Sequence, residues 1–130
     1  MKIGIIKETK EPQDNRVALT PEEIIKLQNT YSNVQFVVQK SDIRAYCDDE
    51  YAELGIPVVD DVSDCDFLFG IKEADIATLL PAKHYFFFGH IAKMQPYNRS
   101  LLQHMMKLGI TFSDYEYLVD ENGKRVCAFG

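Results

Sequence analysis

Apolar and polar positions fall in blocks along this chain. "KIGII" (2–6), "VQFVVQ" (34–39), "IPVV" (56–59), "DFLFGI" (66–71), "HYFFFG" (84–89) and "ITFSDYE" (110–116) are short, mostly apolar runs. Such runs mark strands buried on both faces rather than strands with one wet side. Between them the spacing turns helical. "RVALTPEEIIKLQNTY" opens a helix with Thr20 as N-cap, Pro21 at N1 and Glu23 completing a capping box. Ile24, Leu27 and Tyr31, with Ile25 beside them, form its inward face. "DDEYAELG" (48–55) predicts a short helix capped by Asp48 and stopped by Gly55, and "ADIATLL" (74–80) another that ends before Pro81. "PYNRSLLQHMMKLG" (96–109) predicts a helix whose apolar face is Leu101, Leu102, Met105, Met106 and Leu108. Residues 117–129 read as a hairpin, since Asn122-Gly123 suits the two positive φ angles of a type I′ turn.

Strands alternating with helices predict an α/β fold. The expected form is a doubly wound parallel sheet, Rossmann-like or flavodoxin-like, with a C-terminal β-hairpin. Its 130 residues are enough for one domain.

Charge narrows the function classes. Lys plus Arg total 14 against 20 Asp plus Glu, a net charge of -6, and the basic residues are scattered. No footprint for nucleic acid results. No apolar run approaches the ~20 residues of a membrane helix. "MKIGIIKETK" lacks a signal-peptide h-region, so a cytoplasmic location is expected. Cys47, Cys65 and Cys127 form no C-x-x-C pair, so they read as reduced and structural, with no metal site. No two glycines are separated by one residue, which leaves neither G-x-G-x-x-G nor a P-loop. By itself the chain is expected to hold no dinucleotide.

The informative charges stand at the predicted strand ends, where open α/β sheets place their sites. Strand one ends at Lys7-Glu8 and strand four at Lys72-Glu73. Strand five ends at Gly89-His90, with Lys93 following, and strand six runs into Asp114 and Glu116. Facing each other, Lys72 and His90 could exchange protons near neutrality. Arg16 and Lys93 suit the anchoring of carboxylates, and Glu73 and Glu116 the orienting of those cations. That set points to acid–base work on a small anionic substrate, a keto acid or amino acid. Phe86, Phe87 and Phe88 read as core.

These residues also carry a likeness. "IGIIKETKEPQDNRVALTPEEI" resembles the opening of the alanine dehydrogenase and transhydrogenase N-terminal domain family, with its K-E-x-K followed by R-V-A-L-T-P. "SDIRAYCDDEYAELG", "FGIKE", "FFFGHIAKMQ" and "DYEYLVDENGKRVCAFG" resemble the lysine-forming saccharopine dehydrogenases of that family. The resemblance implies that residues 1–130 are the substrate-side domain of an NAD- or NADP-dependent amino-acid oxidoreductase of lysine metabolism. A Rossmann domain absent from these residues would hold the cofactor. It implies an acid–base pair in Lys72 and His90 and a substrate-carboxylate arginine in Arg16. It further implies a supporting shell of Glu73, Lys93 and Glu116, and a hairpin arginine in Arg125. Departures are Lys124, where a second hairpin arginine is expected, and "QPYN" after Gln95. Alanine dehydrogenase, a transhydrogenase-like subunit and a non-enzymatic ligand-binding domain are the alternatives. The isolated chain is expected to lack dehydrogenase activity and to associate with itself.

Overall fold

The computed structural model describes residues 1–127. Six strands form one sheet in the order β3-β2-β1-β4-β5-β6: β1 Lys2–Ile5, β2 Gln35–Gln39, β3 Val58–Val59, β4 Phe67–Phe69, β5 His84–Phe87 and β6 Thr111–Asp114. Every pairing is parallel. The order reverses between β1 and β4, the switch point where doubly wound sheets open a crevice.

Three α-helices cover the sheet: α1 Pro21–Thr30, α2 Asp48–Glu53 and α3 Arg99–Lys107. The start of α1 follows its sequence. Thr20 Oγ1 accepts from the Glu23 N–H at 3.3 Å, and Glu23 Oε2 accepts from the Thr20 N–H at 3.0 Å. Such a box is worth about 1 kcal/mol. On one face, Ile3, Ile5, Phe36 and Val38 pack with Ile24 of α1, Tyr51 of α2 and Ile56. On the other, Val37, Leu68, Tyr85 and Phe87 pack with Leu101 and Met105 of α3. The period-2 alternation of the strands sends side chains to both cores.

Several expectations need correction. Helix α3 buries Leu101 and Met105, whereas Leu102 and Met106 point outward. Adjacent helical residues are separated by about 100°, so only one of each Leu-Leu or Met-Met pair can face the sheet. Residues 74–80 form only a 3-10 turn, Ile76–Thr78, because Asp75 caps Ala77 N–H at 3.0 Å and Pro81 follows too soon for a helix. Cys47, not Asp48, is the N-cap of α2. Asp48 is drawn instead to the buried Arg44 guanidinium and the Ser41 N–H. Strand β6 ends at Asp114, and Glu116 stands on a 3-10 turn, Tyr115–Tyr117.

The expected hairpin has one β-bridge, Val119 to Arg125. Its turn is not type I′, since of Asn122 and Gly123 only Gly123 takes a positive φ, 76°. Asp120 sets it by accepting from the N–H groups of Asn122 and Lys124, both at 2.9 Å. Residues 128–129 of the predicted hairpin lie outside the described residues. The aromatic run of β5 is buried on one face only. Tyr85 and Phe87 are core, while His84 and Phe86 are half-buried on the opposite side, stacked at 4.5 Å. Phe88, just beyond the strand, is buried as expected.

Candidate functional site

The carboxyl ends of β1, β4, β5 and β6 bring the charged residues to one rim. The charges follow the strand ends within three residues, Lys7 after Ile5, Lys72 after Phe69 and His90 after Phe87, while Asp114 itself ends β6. Lys72 follows Ile71, whose carbonyl accepts from the Phe88 N–H at 2.9 Å. His90 comes two residues after Phe88. The two thus leave neighbouring parallel strands close to a direct backbone link. Both are half-buried.

Two clusters are built there. Around Lys72, the Glu8 carboxylate accepts from the N–H groups of Ile71 (2.7 Å) and Lys72 (2.9 Å). Arg16 grips Asp14 with two nitrogens, Nε at 2.9 Å and Nη2 at 2.5 Å. That pairing holds the Asp14 carboxyl below its usual range, with Lys72 adding to the effect. Burial pushes the Glu8 carboxyl up, against the pull of its two backbone hydrogen bonds. Lys10 reaches the buried Glu73 at 3.4 Å, and Thr9 accepts from the Asp75 N–H at 2.9 Å. The segment 8–10 is therefore fastened side chain by side chain to the segment 71–75.

Around His90, one carboxylate collects two cations and the imidazole. Glu116 lies 2.9 Å from Lys93 Nζ, 3.5 Å from His90 Nδ1 and 3.9 Å from Arg125 Nη1. The Lys93 ammonium beside it holds the Glu116 carboxyl below its usual range, and Lys93 itself is raised. Glu116 Oε2 is buried and accepts no hydrogen bond among the described residues. His90 Nδ1 lies 3.5 Å from it. His90 adopts a left-handed backbone, φ 52° and ψ 21°. An apolar cleft lies beside the clusters, lined by Leu19, Phe69, Ile71, Phe88, Tyr115 and Val126.

Arg16 and Glu73 lie near Lys72 beyond β4, and Lys93 and Arg125 share Glu116 with His90 beyond β5 and β6. Glu8 and Asp114 carry one signal in the sequence, their place at predicted strand ends. Asp14 and Asn98 gave none. Asn98, buried, donates to the Gly89 carbonyl at 3.0 Å.

At the switch point, where a pyrophosphate would need free backbone N–H groups, the Glu8 carboxylate already takes those of Ile71 and Lys72. An alanine Cβ at Gly70 would meet Ile6 Cδ1 at 3.1 Å and Glu8 Oε1 at 3.3 Å, so the Glu8 carboxylate packs directly on the end of β4. No group of three metal-ligating side chains exists among the described residues. No helix is long and apolar enough to cross a membrane.

Residues 4–130 match the alanine dehydrogenase/PNT N-terminal domain family. Alpha-aminoadipic semialdehyde synthase of Arabidopsis thaliana is 36% identical over 132 residues, covering 98% of this chain and 12% of the relative. Saccharopine dehydrogenase [NAD(+), L-lysine-forming] of Schizosaccharomyces pombe is 34% identical, covering 95% of this chain and 34% of the relative. Among solved structures, an L-alanine dehydrogenase superposes with a TM-score of 0.75 at 23% identity, over 95% of this chain and 35% of that one. The transhydrogenase from Sinorhizobium meliloti gives 0.70 at 21%, over 91% and 36%. These two establish the fold. The chain spans about an eighth to a third of the length of the curated relatives it matches. With an all-parallel sheet that reverses at β1/β4 and a charged rim at its carboxyl edge, the chain belongs to the alanine dehydrogenase/PNT N-terminal domain family.

Proposed function

We propose that this chain is the substrate-side domain of a saccharopine dehydrogenase-like enzyme, which cleaves saccharopine oxidatively to lysine and 2-oxoglutarate. The observation that carries the reading is the pairing of cations with an apolar cleft on one rim. Saccharopine is a secondary amine bearing carboxylates on aliphatic arms. Arg16, Lys93 and Arg125 suit the carboxylates, and the cleft beside Phe88 and Tyr115 suits an aliphatic arm. Lys72 and His90 hold and move protons as an imine is hydrolysed, with Glu116 orienting the imidazole and Glu73 the loop that bears Lys72. The saccharopine dehydrogenase at 34% identity supports this chemistry over alanine oxidation, since the likeness to alanine dehydrogenase is one of fold.

The nicotinamide cofactor, NAD or NADP, belongs in this reading to a further domain in cis, since the chain spans only about a third of the NAD-dependent saccharopine dehydrogenase it resembles. A cytoplasmic setting accompanies this reading. The test extends the chain through its downstream coding sequence and follows reduced cofactor on adding saccharopine. Turnover of saccharopine well above that of alanine is expected. Turnover of alanine alone, or of neither, overturns the proposal.

Self-association is part of the same reading. Met94, Tyr97, Leu102 and Met106 are exposed apolar side chains on and before α3. Such patches associate in water. Sedimentation of the isolated chain should show dimers or larger species, and a monomer at high concentration would overturn this part.

A further inference from the structure

We infer that Glu8 and Asp114 are positioning residues. Each carboxylate spans two backbone N–H groups beside one proton-transfer side chain and sets where Lys72 and His90 leave the sheet. The inference rests on the roles proposed above for those two.

The parallel ladder between β1 and β4 runs out at Ile6, whose N–H reaches the Phe69 carbonyl at 2.9 Å. Beyond it the Glu8 side chain continues the pairing, one oxygen to Ile71 N–H and the other to Lys72 N–H. The same device closes the β5/β6 ladder, whose last paired residues are Phe87 and Asp114. There Asp114 Oδ2 accepts from the Gly89 N–H at 3.2 Å and Oδ1 from the Glu116 N–H at 3.0 Å. One carboxylate thus ties down the neighbour of His90 and the backbone of Glu116, the two residues whose side chains meet at 3.5 Å. The Gly89 carbonyl is held as well, by buried Asn98. His90 enters its left-handed conformation from a residue fixed at both polar groups. That conformation is costly for a residue with a Cβ and needs such support.

Only an ionised carboxylate serves. It offers two acceptor oxygens and no donor, whereas an amide turns its NH2 toward one of the two N–H groups. A glutamine or asparagine therefore cannot substitute despite its shape.

The experiment has two arms. In the isotope-labelled 130-residue chain, Glu8→Gln should speed hydrogen exchange at Ile71 and Lys72 at least tenfold and move the Lys72 Nζ signal. Asp114→Asn should do the same at Gly89 and Glu116 and move the His90 ring nitrogens. Amides of the β1/β2 ladder should keep their rates. Glu8→Ala should match Glu8→Gln. Should a variant fail to fold, acidifying the wild-type chain removes the Glu8 charge in place. Asp14, Arg16, Lys72 and Tyr115 are the charged and titratable groups around it. As pH falls, the amide shifts of Ile71 and Lys72 should follow the Glu8 carboxyl carbon, through a midpoint above that of an ordinary glutamate. Amides that ignore both the substitution and that titration overturn the inference.

In the extended enzyme with saccharopine, both amide variants should lose about 30-fold in kcat with KM nearly unchanged, as misplacement of a reacting group does. Raised KM at unchanged kcat overturns positioning. If the wild-type extended enzyme turns over no saccharopine, the proposed function falls, and the first arm alone decides whether the clamps hold.

Discussion

Replacing Lys72 by methionine, or His90 by asparagine, should lower kcat for saccharopine in the extended enzyme by 10²- to 10⁴-fold, the usual contribution of a positioned acid or base. KM should change little, because the carboxylate anchors proposed above, Arg16, Lys93 and Arg125, are left in place. The choice of replacements follows from the structure. Lys72 is half-buried with its backbone tied to Glu8, so methionine keeps the packing of the stem and removes only the ammonium. His90 stands at φ 52°, and asparagine is among the few side chains that tolerate that region. The double variant should be little worse than the poorer single one, since groups that serve one proton path are strongly non-additive. Both singles retaining wild-type kcat would remove Lys72 and His90 from the chemistry. A large rise in KM alone would make them binding residues.

How much of this was legible in the sequence depends on what each residue answers to. Strand and helix types followed from local pattern, and the capping box at Thr20 and Glu23 formed as written because its partners are three residues apart. The misreadings arise where a competing partner or the packing decides, some of them only a few residues away. Asp48 looked like a cap until Arg44 claimed it. Leu102 and Met106 looked inward until the sheet selected Leu101 and Met105. At the rim, the run ends at Lys72 and His90 marked the place. What holds them came from elsewhere in the chain: Glu8 contacts residues 63 and 64 positions away, and Asp114 reaches Gly89 across 25. No periodicity records such pairings. Lys7-Glu8 stands in the sequence only as a strand-end charge, while in the fold Glu8 turns inward and continues the ladder.

Glycine at position 89 is the most sensitive point of that arrangement, and Gly89→Ala should cost on the order of 3 kcal/mol. An alanine Cβ would sit 2.7 Å from Phe112 Cζ, 3.0 Å from its Cε1 and 3.3 Å from Phe87 Cε2. Both rings belong to the α3-side packing, where they meet at 4.5 Å between centroids. Overfilling such a core costs about 1–3 kcal/mol when neighbours can shift. The backbone cannot escape instead, since withdrawing Gly89 breaks its bonds to Asp114 and Asn98, each worth about 1 kcal/mol. For a domain of this size the melting temperature should fall on the order of 10 °C. Calorimetry reads it, with Gly55→Ala as a contrast, because a Cβ there meets nothing within 4 Å and the cost is that of its φ of 77° alone. Phe112→Leu added to Gly89→Ala should recover part of the loss, since it removes the ring atoms in collision while leaving the Asp114 clamp in place. An unchanged melting temperature for Gly89→Ala would mean that the exit of β5 is looser than its contacts require, and that Asp114 and Asn98 do not fix the residue from which His90 departs.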